Sequence, residues 1–185
     1  MRKIVLTFGL IAGVILSAMM VITVPFMDQI GYDRSAILGY TTMVLAFMLI
    51  FFGVRSYRDN VAGGTVRFGR AFAVGALIAT VASLCYVATW EVIYYTVKPD
   101  FLTNYQAHVL DKARADGENP AAIAERKVEM EKFAELYKNP AINAAITFLE
   151  PLPVALIIAL VTSGVLSRRR RSLAGEPITI VGVPS

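Results

Sequence analysis

The sequence predicts an all-α membrane protein with four spanning helices, and three observations carry the prediction. Apolar residues make up 56% of the chain and charged residues only 17%, below the roughly 25% of ordinary globular chains. The apolar residues fall into four runs, at about 4–26, 36–54, 71–97 and 141–166, each near or beyond the ~20 residues that cross the hydrocarbon core. Basic residues gather at the ends of those runs and not over a polar surface, so the net charge of +4 reads as a mark of topology. The lipid bilayer is therefore the expected partner, and nucleic acid is not.

The first run, preceded only by Arg2 and Lys3, continues through Ser17-Ala18-Met19-Met20 to Phe26, well past the 7–15 residues of a signal-peptide core, so it is expected to stay as a helix. The second, from Ala36 to Val54, carries no charge. The third, from Ala71 to Val97, carries Glu91 alone, and the fourth, from Ala141 to Leu166, carries Glu150 alone. Arg2 and Lys3, then Arg55, Arg58, Arg67 and Arg70, then Arg168 to Arg171 lie on one side of these spans. The loop between the first two spans has only Arg34 against Asp28 and Asp33. By the positive-inside rule both termini face the cytoplasm, and a multi-pass protein of the bacterial cytoplasmic (inner) membrane is expected. Trp90, Tyr94 and Tyr95 fall where the third span should leave on the outer side, as interfacial aromatics do.

Small residues recur at four-residue spacing in three spans: Gly9, Gly13 and Ser17; Ala71, Gly75, Ala79 and Ser83; Ala155, Ala159 and Ser163. Such rows let backbones approach closely in lipid, so a compact bundle is expected. Between the third and fourth spans lies the one large polar segment, 98–139, with seven basic and eight acidic residues. Apolar residues at helical spacing (Phe101, Tyr105, Val109; Ile123, Met130, Phe133, Tyr137) predict two amphipathic helices. A break at Asp116-Gly117-Glu118 is followed by Asn119 as N-cap and Pro120 at the first helical position, and Asn139-Pro140 repeats that start signal. Its near neutrality favours a hairpin that caps the bundle over an electrostatic membrane anchor. The reading is thus one transmembrane domain, 1–171, that includes the outer hairpin, followed by a tail, 172–185, expected to be disordered.

Four segments carry a resemblance to a known family. They are Gly39-Tyr40-Thr41-Thr42-Met43, Arg55-Ser56-Tyr57-Arg58-Asp59 with the following Gly63-Gly64, Phe68-Gly69-Arg70-Ala71-Phe72, and Phe148-Leu149-Glu150-Pro151-Leu152-Pro153. Together they resemble the bacterial family filed as domain of unknown function 4199 (DUF4199), over about Arg2 to Arg170. The resemblance implies a small multi-span membrane protein and no particular activity.

Ionisable groups within spans cost roughly 2.5–3.5 kcal/mol at the helix centre, so Glu91 and Glu150 each call for a reason. If the third and fourth spans are neighbours the two carboxyls could meet in the outer half. Pro151 and Pro153 cannot donate backbone hydrogen bonds, so the carbonyls of Thr147 and Leu149 lose their helical partners, and a carboxylate beside freed carbonyls suits cations or protons in transporters. The plainer and favoured reading is a kink with Glu150 hydrogen-bonded to Tyr86, Tyr94 or Thr89. The turn Arg55 to Asp59, with Arg67 and Arg70, could contact lipid headgroups, although topological anchoring already explains those charges. Gly63-Gly64 lacks the strand and lysine of a phosphate-binding loop. His108 stands alone and Cys85 has no second cysteine, so neither a metal, a cofactor nor a catalytic triad is expected.

The first functional expectation is a structural or accessory protein acting through protein–protein contacts, as a homo-oligomer or with another membrane protein. The second is a small ion- or proton-coupled transporter using Glu91 and Glu150. Enzyme activity is not expected, and a lipid-modifying role is a distant third.

Overall fold

The computed structural model describes residues 1–167. The arginine run at 168–171 and the tail expected to be disordered lie outside the described residues. Among the described residues eight α-helices follow in order: α1 (Arg2–Thr23), α2 (Met27–Ile30), α3 (Tyr32–Asn60), α4 (Phe68–Thr96), α5 (Phe101–Ala115), α6 (Pro120–Tyr137), α7 (Pro140–Leu149) and α8 (Leu152–Leu166). A single 3-10 turn at Val24–Phe26, carrying Pro25, joins α1 to α2. Four helical stretches are long and apolar enough to cross a membrane: Arg2–Ile30, Tyr32–Asn60, Phe68–Thr96 and Pro140–Leu166. They coincide with the four runs read from composition.

Each stretch is longer than its apolar run, and the second exceeds it most. Tyr32–Asn60 has 29 residues, about 43 Å at 1.5 Å per residue, enough to cross the hydrocarbon and the headgroup layers as well. The segment Arg55 to Asp59, expected as a turn, is therefore the last part of α3. Tyr57 is buried there, and Arg55 pairs with Asp59 one turn on at 3.6 Å. Charged residues do not end a helix as long as its inner face stays packed. What ends it is Gly63 and Gly64, whose φ values of +68° and +85° reverse the chain toward α4.

The bundle is built around α3 and α4, which touch each other, while α1 and α8 each pack against both. The small-residue rows lie in these contacts. Alanine and glycine of the α4 row meet α8 and α3: a Cβ on Gly75 would stand 3.1 Å from both Ala159 Cβ and Ile50 Cγ2. The α1 row meets a different face of α4, where a Cβ on Gly9 would be 2.7 Å from Val81 Cβ and one on Gly13 2.6 Å from Cys85 Cβ. Both contacts exist only because the side chain is a hydrogen. The largest of the wholly buried side chains, Phe47, Ile50, Val54, Val74 and Ile78, lie in this half.

Outside, the pattern is reversed relative to a water-soluble bundle. Val14, Ile22, Ile37, Leu45, Val92, Ile157 and Val161 are each more than 60% exposed, while Ala, Gly or Ser residues are buried on the inner face of every one of these helices. A surface of that kind is stable in lipid and not in water.

At the end opposite the Arg2 and Gly63-Gly64 connections, α5 and α6 form the hairpin. Gly117, at φ +76°, closes α5. Asn119 accepts from Ala121 N (2.8 Å) and Asn139 from Ala141 N (3.0 Å), so both asparagines cap helices that begin with proline as their sequence signals require. The hairpin is docked on the start of α3. Tyr32 packs against Phe101, Tyr105 and His108, Lys98 pairs with Asp28, and Lys112 pairs with Asp33 at 2.7 Å.

Candidate functional site

The chain break at Glu150 and Pro151 decides where the bundle is open. Pro151 removes one backbone donor and Pro153 another, and the fourth span divides into α7 and α8 with Pro151, itself wholly buried, at the joint. Beyond the joint α8 packs against both α3 and α4, whereas α7 packs against α4 and α6. The space between α3 and α7 is left as a cavity of about 660 Å³ roofed by the hairpin. Its walls come from seven helices: Met20 of α1, Met27 of α2, Gly39, Tyr40 and Met43 of α3, Tyr86 and Trp90 of α4, Phe101 and Tyr105 of α5, Met130 and Phe133 of α6, and Ile146 of α7 with Glu150 at its end.

Glu150 faces this cavity. Tyr86 Oη donates to Glu150 Oε2 at 3.0 Å, which is one of the three partners considered from sequence. Thr89 turns instead to Ser17, 2.8 Å away across the α1 contact. Tyr94 is buried against Trp90, Tyr95 and Tyr137 and does not line the cavity. Glu91, the other intramembrane carboxyl, is half-buried, with Oε1 shielded and without a hydrogen-bond partner. It is not part of the cavity wall. Although α4 and α7 are neighbours, the helical turn that points Tyr86 and Trp90 into the cavity points residue 91 roughly 100° away. The two glutamates therefore do not form a shared carboxyl pair.

Beside the cavity lies a polar network that the sequence reading missed. Trp90 shares its indole N–H between Tyr137 Oη (2.9 Å) and Asn143 Oδ1 (3.1 Å). Tyr137 and Thr147 hydroxyls are 3.2 Å apart, and Thr147 donates to Asn143 Oδ1 at 3.2 Å. These groups tie α4, the end of α6 and α7 together inside an apolar setting, with Asn143 Oδ1 shared by two donors and its Nδ2 buried without a partner. The available signal was Asn143, an amide in an otherwise apolar span. Burial raises the Tyr137 phenol above its ordinary range, so it is neutral and able to donate at physiological pH.

The basic end holds the other candidates. Arg58 donates to Asp59 at 2.7 Å and Arg55 also leans on that carboxylate, while Arg67 and Arg70 are exposed at the start of α4. These are some distance along the bundle from Glu150, at the opposite end of the helices. Of the four family-like segments, those containing Gly39-Tyr40 and Glu150 converge on the cavity, and the other two flank the connection between α3 and α4.

Four long apolar helices, an apolar exterior and a half-open aromatic cavity define a multi-span α-helical membrane protein. The chain belongs to the family described as "Protein of unknown function (DUF4199)", whose family model matches residues 7–168. No curated protein and no solved structure matches it.

Proposed function

We propose that this chain is a non-catalytic accessory protein of a bacterial cytoplasmic membrane that holds a small amphipathic molecule in the cavity under its hairpin. One observation carries the reading: the cavity of about 660 Å³ lies within the ~300–1,000 Å³ of ligand sites, with apolar walls and a few polar groups that could orient an occupant. The placement of both termini in the cytoplasm, and of the hairpin outside, rests on the basic residues at the other end of the bundle.

Binding is favoured over conduction. Glu91 and Glu150 are not brought together, and the half of the bundle beyond Pro151 is packed with wholly buried side chains such as Ile50, Val54 and Ile78. A transport path through a single chain would have to open that half. Contact with a protein partner is a second reading, supported by Val128 and Leu136, which stay about half exposed on α6; crosslinking from cysteines placed at these two positions should capture one discrete protein if it holds.

The test of the binding reading is native mass spectrometry of the full chain released from membranes in a neutral detergent. The wild type should carry or take up a small molecule, and Gly39→Phe should not. A Cβ at Gly39 meets nothing within 4 Å, so the ring enters the cavity without displacing backbone. Identical behaviour of the two proteins against a panel of lipids and small amphiphiles would overturn the reading.

A further inference from the structure

Three features of the cavity specify the charge of its occupant. Two carboxylates, Glu150 in the wall and Glu129 at the edge of α6, both exposed, border the space, and no lysine or arginine lines it among the described residues. Glu150 has a single hydrogen-bond donor, Tyr86, on one oxygen, which leaves Oε1 without a counter-charge in an apolar region where an unpaired carboxylate is costly. Eight aromatic side chains also line the wall, Tyr40, Tyr86 and Trp90 among them, and ring faces attract cations. Ser35 adds an independent mark: it is only 4% exposed, its hydroxyl has no partner, and it lies in the same wall.

We propose that the cavity binds a lipophilic organic cation, an ammonium or phosphonium centre carrying an apolar body, with the positive centre between Glu150 and the aromatic faces. This rests on the binding reading above and names its ligand class. A bare metal ion does not fit, since it would need six or so oxygen ligands and would fill little of 660 Å³. An anionic or zwitterionic lipid headgroup would bring its phosphate against the two carboxylates with no basic side chain to receive it.

Trp90 is the chain's one tryptophan and stands in the wall, so its fluorescence reports occupancy directly. The full chain in maltoside micelles is titrated with tetraphenylphosphonium, with tetraphenylborate (the same shape with opposite charge), with neutral triphenylphosphine oxide, and with short-chain phosphatidylcholine. The expected result is a saturable change with tetraphenylphosphonium, at least tenfold weaker in Glu150→Gln, and none with the borate. Tyr86→Phe releases the carboxylate and should keep or tighten binding, which holds the test open if Glu150→Gln fails to fold. Equal response to the borate, or full binding in Glu150→Gln, would overturn the charge assignment. Displacement of the cation by phosphatidylcholine at similar concentration would overturn the free-cation assignment in favour of a headgroup. Binding of the neutral oxide without the cation refutes this proposal and leaves the binding reading standing; no binding by any probe, together with an empty protein by mass spectrometry, removes both.

Discussion

Two glycines show how differently the ends of this bundle are built. Gly75 lies where α4, α8 and α3 meet, and a methyl group there would press on Ala159 and Ile50 at 3.1 Å. Gly39, on α3 near the other end, faces a cavity and meets nothing within 4 Å. One glycine is required by a contact and the other borders a space. The difference traces to the joint at Pro151: on its α8 side the fourth span closes on both central helices, and on its α7 side it follows α4 and α6 alone. A small-residue interface therefore makes half of the protein a structural unit, and one proline-marked joint leaves the remainder hollow.

The comparison is broken most severely by filling the tight half. Gly13→Leu puts side-chain atoms where Cys85 Cβ would be 2.6 Å from the new Cβ, and overpacking of that order should cost about 3 kcal/mol, read as a large fall in the detergent unfolding midpoint. The same enlargement at Gly39 should have little effect on that midpoint, within about 1 kcal/mol, while shifting Trp90 emission. If both substitutions are equally damaging, the two ends are not distinct.

A smaller change is expected from the network that closes the cavity's inner side. Asn143→Ala removes acceptors for Trp90 and Thr147 but leaves Trp90 bonded to Tyr137, so a loss of about 1 kcal/mol is expected, in keeping with hydrogen bonds between membrane helices. The emission of Trp90 should respond more than the midpoint does. Pro151→Ala sharpens the comparison further. It restores a backbone donor in mid-span, and the more continuous helix should shrink the cavity, seen as reduced uptake of tetraphenylphosphonium at nearly unchanged stability.

The smallest effect belongs to the hairpin's exposed tether. Asp33 is hydrogen-bonded to Lys112 and holds its ammonium above the ordinary lysine range. A group whose pKa is raised on folding stabilises the folded state below its unfolded pKa and loses that contribution as pH rises through the folded value. The tether should therefore be intact at neutral pH and weaken in strong alkali, and also in acid, since Lys112 holds the Asp33 carboxyl below its ordinary range and that contribution is lost as pH falls through the folded value. Lys112→Ala should leave the unfolding midpoint nearly unchanged and quicken hydrogen exchange in α5 at neutral pH; unchanged exchange would show that the Tyr32 contacts with Phe101, Tyr105 and His108 hold the hairpin alone.

How much of this was legible depends on whether a property is local. Asn119-Pro120 and Asn139-Pro140 announce helix starts through groups within two residues of one another, and these were readable. The end of α3 was misplaced because Arg55 and Arg58 look like the end of a span. In fact Tyr57 keeps packing and Arg55 pairs with Asp59, so the helix goes on. The rows of small residues were readable as contact surfaces, but which row met which was not: α1 uses the Val81 and Cys85 face of α4, and the α4 row itself is spent on α8 and α3.

The candidate site divides the same way. Glu150 and its two prolines stand out in sequence because a charge and missing donors are conspicuous in any apolar run, and Tyr86 was among the partners foreseen. Glu91 is as conspicuous, yet it lies off the cavity. Tyr40, Trp90, Met130 and Phe133 are ordinary membrane or amphipathic residues until seven helices arrange them around one space.

The sequence by itself determined four spans, a capped hairpin and a proline joint in the last span, because hydrophobic length, capping and the absence of an N–H act within a few residues. Only the tertiary structure decided that the joint opens a cavity, that Glu150 and not Glu91 faces it, and that no basic side chain lines it among the described residues. Those outcomes depend on the rotation of each helix about its axis, which is set by side-chain packing between segments far apart in the chain; Met20 and Glu150, 130 residues apart, border the same cavity.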